Sequence, residues 1–130
     1  MTGSQTKHES SVVDFEAVVA AVDTYVKGLR DGDVDQLKEA FDDGAVMYGL
    51  TQVGFLGGPI ENLYTFIEEH GGAPEVIAHI DVLDITATTA VARVTMENDA
   101  MGDDFTDFHE LVKLDGKWKI VGKVFHRHEK

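Results

Sequence analysis

Read for spacing, the chain opens with helical stripes and closes with strand alternation. Phe15, Val18, Val22, Tyr25 and Leu29 recur at steps of three and four, which gathers them on one side of a helix. Ser11 and Asp14 have the spacing of a capping box, with Asp in the usual Glu place, and Asp31-Gly32 stops the helix. Asp33 caps a short second helix with Gln36 at its third position; Val34, Leu37, Ala40 and Phe41 are its apolar face and Asp43-Gly44 its end. Ala45 to Thr51 reads as a strand, and Val53 to Gly58 as a glycine-rich loop or short edge strand. Gly58-Pro59 opens a third helix, since proline suits the first helical position; its face is Ile60, Leu63, Tyr64 and Ile67, and Gly71-Gly72 closes it. Strands are then predicted over Glu75 to Ile85, Thr88 to Glu97, Phe105 to Leu114 and Lys117 to His126. The last two flank Asp115-Gly116, a strong hairpin signal because both turn residues accept positive φ.

Helices early and strands late predict an α+β domain: three helices in the N-terminal half packed on a strongly curved, mixed, mostly antiparallel sheet. Such a sheet encloses a cone-shaped space, which either fills with side chains or becomes a ligand pocket. The expected organisation is a loose tail over residues 1–10 and one domain over residues 11–128.

Composition narrows the partners. The chain has 24 acidic and 11 basic side chains, for a net charge of -13. That balance opposes nucleic acid and anionic membranes, which require a basic face. No cysteine is present, so disulfide and thiol chemistry are excluded. No apolar run approaches a membrane span and the first residues lack the apolar core of a signal peptide, so a cytoplasmic location is expected by default.

Three segments carry a family resemblance: Tyr25-Val-Lys-Gly-Leu-Arg-Asp-Gly-Asp-Val-Asp35, Leu37-Lys-Glu-Ala-Phe-Asp-Asp-Gly-Ala45, and Asp115-Gly-Lys-Trp-Lys-Ile-Val-Gly-Lys-Val-Phe125. They resemble nuclear transport factor 2-like domains, the cystatin-like α+β cone, over Val12 to His126. Phe105-Thr-Asp-Phe with the long closing hairpin is similar to the "putative lumazine-binding" family. The superfamily includes isomerases, dehydratases, cyclases, hydrolases and domains that only bind or dimerise, so the resemblance implies the fold and leaves the function open.

Asp107 and His109 are the sharpest candidates for catalysis. Residues two apart in a strand share a face, and there an Asp can orient a His that moves a proton. Alternation leaves open whether that face, with Leu111 and Lys113, lines the pocket or meets solvent or a second copy. In the last strand Trp118, Ile120, Gly122, Val124 and His126 form the better inner face; Lys117, Lys119, Val121, Lys123 and Phe125 form the other. A bulge would reverse that assignment beyond it. Tyr25, Tyr48 and Tyr64, with Trp118 and His126, are the candidate ligand contacts, tyrosine offering an apolar ring and one hydroxyl. Asp14 is explained by capping and His79 by an outward position. Asp99, Asp103 and Asp104 read as a solvated acidic turn rather than a calcium site, and no metal site is expected. Phosphate-loop and Gly-x-Ser-x-Gly signatures are absent and no cofactor is expected.

Two functions fit. One is a small-molecule pocket protein, with cofactor-free proton transfer of isomerase, dehydratase or cyclase type if it is an enzyme. The other is a non-catalytic association domain. Both carry the expectation of a homodimer through the sheet face, with Ala90, Ala92, Val94, Met96, Val121 and Phe125 supplying apolar area.

Overall fold

The computed structural model describes residues 3–129, and side chains from residue 12 onward. Helix α1 runs Gly3–Asp31, α2 Val34–Ala40 and α3 Glu61–His70. Strands are β1 Phe41–Thr51, β2 Gly54–Pro59, β3 Ile77–Ile85, β4 Thr89–Glu97, β5 Phe105–Leu114 and β6 Lys117–Arg127. They form one curved sheet in the order β2-β1-β6-β5-β4-β3. Among the described residues only the β1–β6 pair is parallel; the other pairings are antiparallel. The three helices and the mixed α+β sheet agree with the fold expected from the sequence.

The element boundaries differ from expectation where local signals were overruled. The α1 backbone is already helical before Ser11, so Ser11 and Asp14 do not cap it. The tail expected over residues 1–10 lies outside the described side chains. Asp33 does cap α2, accepting the Gln36 N–H at 3.2 Å. Phe41 leaves α2 to open β1, so that strand begins earlier than predicted. Pro59 ends β2 instead of opening α3, whose N-cap is Ile60. Asp115 and Gly116 both take positive φ, at 50° and 79°, as the two-residue turn requires.

The core lies between the helices and one sheet face. Val18, Val22, Tyr25 and Leu29 of α1 are all buried, with Leu37, Ile60, Leu63 and Ile67 from the other helical segments. Against them β4 turns Ala90, Ala92, Val94 and Met96, with period two. Those four residues therefore belong to the interior and not to an outer pairing surface. The outer face instead exposes Val46, Tyr48, Leu50, Phe108 and Val124. Among the described residues no helix is long and apolar enough to cross a membrane.

Candidate functional site

The closing hairpin decides what faces the interior. In β5, Phe105, Asp107, His109 and Leu111 point under the helices, while Phe108 and Glu110 point out. Across the strand pair Asp107 lies opposite Phe125 and His109 opposite Lys123. Cross-strand partners share a face, so Lys123 and Phe125 enter the interior with them. This arrangement requires a bulge. Glu110 pairs with Gly122 but Leu111 pairs with Ile120, leaving Val121 unpaired. Trp118 and Ile120 face inward before the bulge, and Lys123 and Phe125 after it. His126 is turned outward, exposed and opposite Thr106. Its expected place in the pocket is corrected by this one extra residue.

Under the helices lies a cavity of about 340 Å³. Its wall is mostly apolar, from Leu29, Leu63, Phe66 and Ile67 of the helices and Met47, Met96, Phe105 and Phe125 of the sheet. Gly49 makes room for part of that wall: a Cβ there would run into the carbonyl oxygen and ring of Phe125. The polar lining is Tyr25, Asn62, Thr51, Asp99, Asp107 and Lys123.

Asp107 is the centre of the polar cluster and is fully buried. The Tyr25 hydroxyl donates to its Oδ2 at 2.8 Å. His109 Nε2 stands 3.6 Å and Lys123 Nζ 4.0 Å from that same oxygen, both beyond ordinary hydrogen-bond length. Oδ1 has no hydrogen-bond partner among the described residues, nor has either ring nitrogen of His109. The Tyr25 ring is packed against Phe41 edge-on at 5.5 Å and against His109 at 4.7 Å, and Lys123 Nζ sits 5.3 Å from its centroid. α1 fixes the tyrosine, and the hairpin fixes the other three residues.

Charge states follow from burial and neighbours. Burial alone would raise the Asp107 carboxyl, but the Lys123 charge, the His109 ring and the Tyr25 hydroxyl outweigh it and hold it below the ordinary 3.8. Burial lowers His109 against the pull of Asp107, so its ring is neutral at pH 7. Burial likewise lowers Lys123, again opposed by Asp107. Tyr25 is pushed well above 10 by burial and by Asp107, and stays protonated.

The expected site residues separate into two groups. Asp107 and Tyr25 reach the cavity together; His109 is wholly buried behind Asp107 and does not line it. Tyr48 is on the outer face, stacked on Phe55 at 5.7 Å. Tyr64 is buried with Lys38 over its ring, and burial, then Glu61 and Asp43, push it up to about 12; it does not reach the cavity. Trp118 is buried too, but its Nε1 donates to Asp14 at 3.2 Å, away from the cavity. Strict alternation along the last strand puts Lys123 and Phe125 on the opposite face. Gly122 carried a signal for them, since glycine within a strand often marks a bulge. His79 does face outward, bonded to Asp81 at 3.0 Å. Asp99 ties its own turn by accepting the N–H groups of Met101 and Asp103.

Residues 13–126 match the "Putative lumazine-binding" family. The chain belongs to that family. It is 38% identical over 120 residues to "Aldolase FrzH" of Cladobotryum sp, spanning 92% of this chain and 95% of that one. Two solved NTF2-like proteins of unknown function are also similar. The one from Shewanella baltica OS155 is 32% identical with a TM-score of 0.85, covering 92% of this chain and 98% of its own. The one from Methylobacillus flagellatus KT is 35% identical with a TM-score of 0.85, covering 92% and 95%.

Proposed function

We propose that this family member binds a small, mostly apolar carbonyl compound in the cavity and moves a proton at the carbon beside the carbonyl. One observation carries the reading. Asp107 is a buried, ionised carboxylate on the cavity wall, with one oxygen held by Tyr25 and the other without a partner. The Asp107 carboxylate is the base: it takes the proton from carbon. Lys123 Nζ donates an N–H to the carbonyl oxygen as negative charge develops there, the role that positioned donors play in a site sheltered from water. Tyr25 and His109 position the carboxylate. Tyr25 is not the oxyanion donor, because its single proton is already committed to Oδ2.

The resulting enolate has several fates. Return of the proton elsewhere gives isomerisation, loss of a β-hydroxyl gives dehydration, and attack on a second carbonyl gives aldol addition. The name of the relative FrzH supports the last, since an aldol step begins with this proton removal. Deuterium uptake from D2O into the α-carbon of small ketones, followed by NMR, tests the reading. Uptake should fall about 10²–10⁴-fold in Asp107→Asn, the usual contribution of a general base. Equal uptake in both proteins would remove Asp107 from the chemistry.

A second reading concerns the outer face and is compatible with the first. Tyr48, Val124 and Phe108 lie in one row across β1, β6 and β5, with Phe55 stacked on Tyr48. Leu50 and Val46 flank them, and all are exposed. We propose that this row pairs with a second copy of the chain, which would cover a contiguous exposed apolar strip. Sedimentation of the wild type should give a dimer and of the Leu50→Asp, Val124→Lys double variant a monomer. A monomeric wild type would end this idea.

A further inference from the structure

An ammonium is poorly served at the position of Lys123. The side chain is 8% exposed, and its nitrogen meets Asp107 Oδ2 only at 4.0 Å, while Tyr25 holds that oxygen at 2.8 Å. An ammonium has three N–H donors to satisfy. The rings of Tyr25 and Phe125, at 5.3 and 5.4 Å, and the charges of Asp107 and Asp99 favour the cation, but burial outweighs them. Burial lowers its proton affinity, which favours the neutral amine. A desolvated amine on a cavity wall is a nucleophile toward carbonyl carbon. Lys123 is also the one basic side chain among the described lining residues, against the carboxylates of Asp99 and Asp107. A substrate carrying its own carboxylate or phosphate would be poorly matched, so the cavity suits an uncharged aldehyde or ketone.

We propose that Lys123 Nζ condenses with the carbonyl carbon of such an aldehyde or ketone, so that the cavity works through a protein-bound iminium. This rests on the reading above that the cavity takes a carbonyl compound, and the C=N bond replaces the N–H contact that Lys123 makes to the carbonyl oxygen there. The step balances with the groups present. Asp107 takes one proton from the ammonium, freeing the nitrogen lone pair. The pair attacks the carbonyl carbon, the C=O π electrons move to oxygen, and a second nitrogen proton passes to that oxygen. The carbinolamine hydroxyl takes the proton held by Asp107 and leaves as water while nitrogen forms the C=N bond. Of three ammonium hydrogens, one stays on nitrogen and two leave in water; nothing is oxidised or reduced. Asp107, ionised again, then removes the α-proton, and the iminium receives the electron pair as an enamine. Lys123 is thus a catalytic residue by covalent attachment, and Asp107 serves both halves of the sequence.

The test uses the full chain at pH 7 with cyclohexanone, 2-heptanone or phenylacetaldehyde and sodium cyanoborohydride, which reduces an iminium to a stable amine. Intact mass and peptide mapping locate the adduct, and deuterium uptake is measured on the same compounds. The expected result is a single adduct on Lys123. It should form faster than on exposed lysines such as Lys117 by about ten-fold for each unit by which the amine's pKa is depressed. Lys123→Arg and Lys123→Met, checked for folding by circular dichroism, should give no such adduct. Deuterium uptake that depends on Asp107 with no Lys123 adduct would overturn the covalent step and leave the proton-transfer reading standing. A Lys123 adduct without uptake would support the covalent step and overturn Asp107 as the base. Neither adduct nor uptake with any of the three compounds would overturn both.

Discussion

Two buried aspartates tie α1 to the closing hairpin, and their surroundings are nearly the same in kind. Asp14 accepts from the Trp118 indole at 3.2 Å and from Lys113 at 3.1 Å. Asp107 accepts from the Tyr25 hydroxyl at 2.8 Å, with Lys123 at 4.0 Å. Each site is one carboxylate, one aromatic donor and one lysine. The difference lies in space and satisfaction. Asp14 does not line the cavity, and its lysine is 32% exposed and makes a direct ion pair. Asp107 borders a void, keeps one oxygen unpartnered and faces a lysine that is almost wholly buried. The same three kinds of group therefore make a clasp at one end of the hairpin and, in the reading proposed above, the proton-transfer site at the other. What separates them is the empty volume beside the second.

Substituting the aspartates should break the comparison most sharply. Asp107→Asn is expected to remove about 10²–10⁴-fold of deuterium-exchange activity. Asp14→Ala should leave exchange intact while lowering unfolding free energy by about 1–3 kcal/mol, the cost of leaving the donors of Trp118 and Lys113 without their acceptor. Urea denaturation and exchange rates, measured on both variants, check this. If Asp14→Ala loses activity while still folded at the assay temperature, the division of roles is wrong.

Filling the void should make the second region resemble the first. The added methyl of Gly49→Ala meets both the carbonyl oxygen and the ring of Phe125, so the strand must shift and the ring must move with it. Overpacking of this kind costs about 1–3 kcal/mol. Thermal-shift titration with small ketones should show weaker stabilisation than in the wild type. Unchanged ligand response would mean that Phe125 does not shape the binding space.

The smallest effect concerns pH. Burial holds His109 below 6.5 in the fold. Between that lower folded value and 6.5, the unfolded chain binds a proton that the native state refuses. Stability therefore falls as pH drops below about 6.5. Asp107, held below 3.8, adds a separate loss further into acid, as pH falls from 3.8 through its folded value. His109→Gln should flatten the first window and, because the His109 ring also helps to lower Asp107, narrow the second. Urea midpoints from pH 7.5 to 3 measure this. A wild-type midpoint independent of pH between 7.5 and 5 would contradict the neutral buried ring.

Much of the fold was legible because its signals are local and periodic. The 3.6-residue stripe of α1, the Asp33 cap and the Asp115-Gly116 turn each act within a few residues. Boundaries failed where packing overruled a local preference, as at Phe41, which extends β1 and packs its ring against Tyr25. The site was legible by half. That Asp107 and His109 share a face follows from their spacing. Their inward direction does not, because alternation sorts residues into two faces without saying which one the helices cover.

By itself, then, the sequence determined the helices, the strands, the tight turn and the pairing of Asp107 with His109, since each depends on neighbours along the chain. Tertiary structure alone decided the rest. The unpaired Val121 exchanged His126 for Lys123 at the interior, α1 brought Tyr25 to a strand 82 residues away, and the curve of the sheet left a space beside them. A bulge shifts every later side chain to the other face, and a void exists only where distant elements fail to meet, so neither is written in any short stretch of residues.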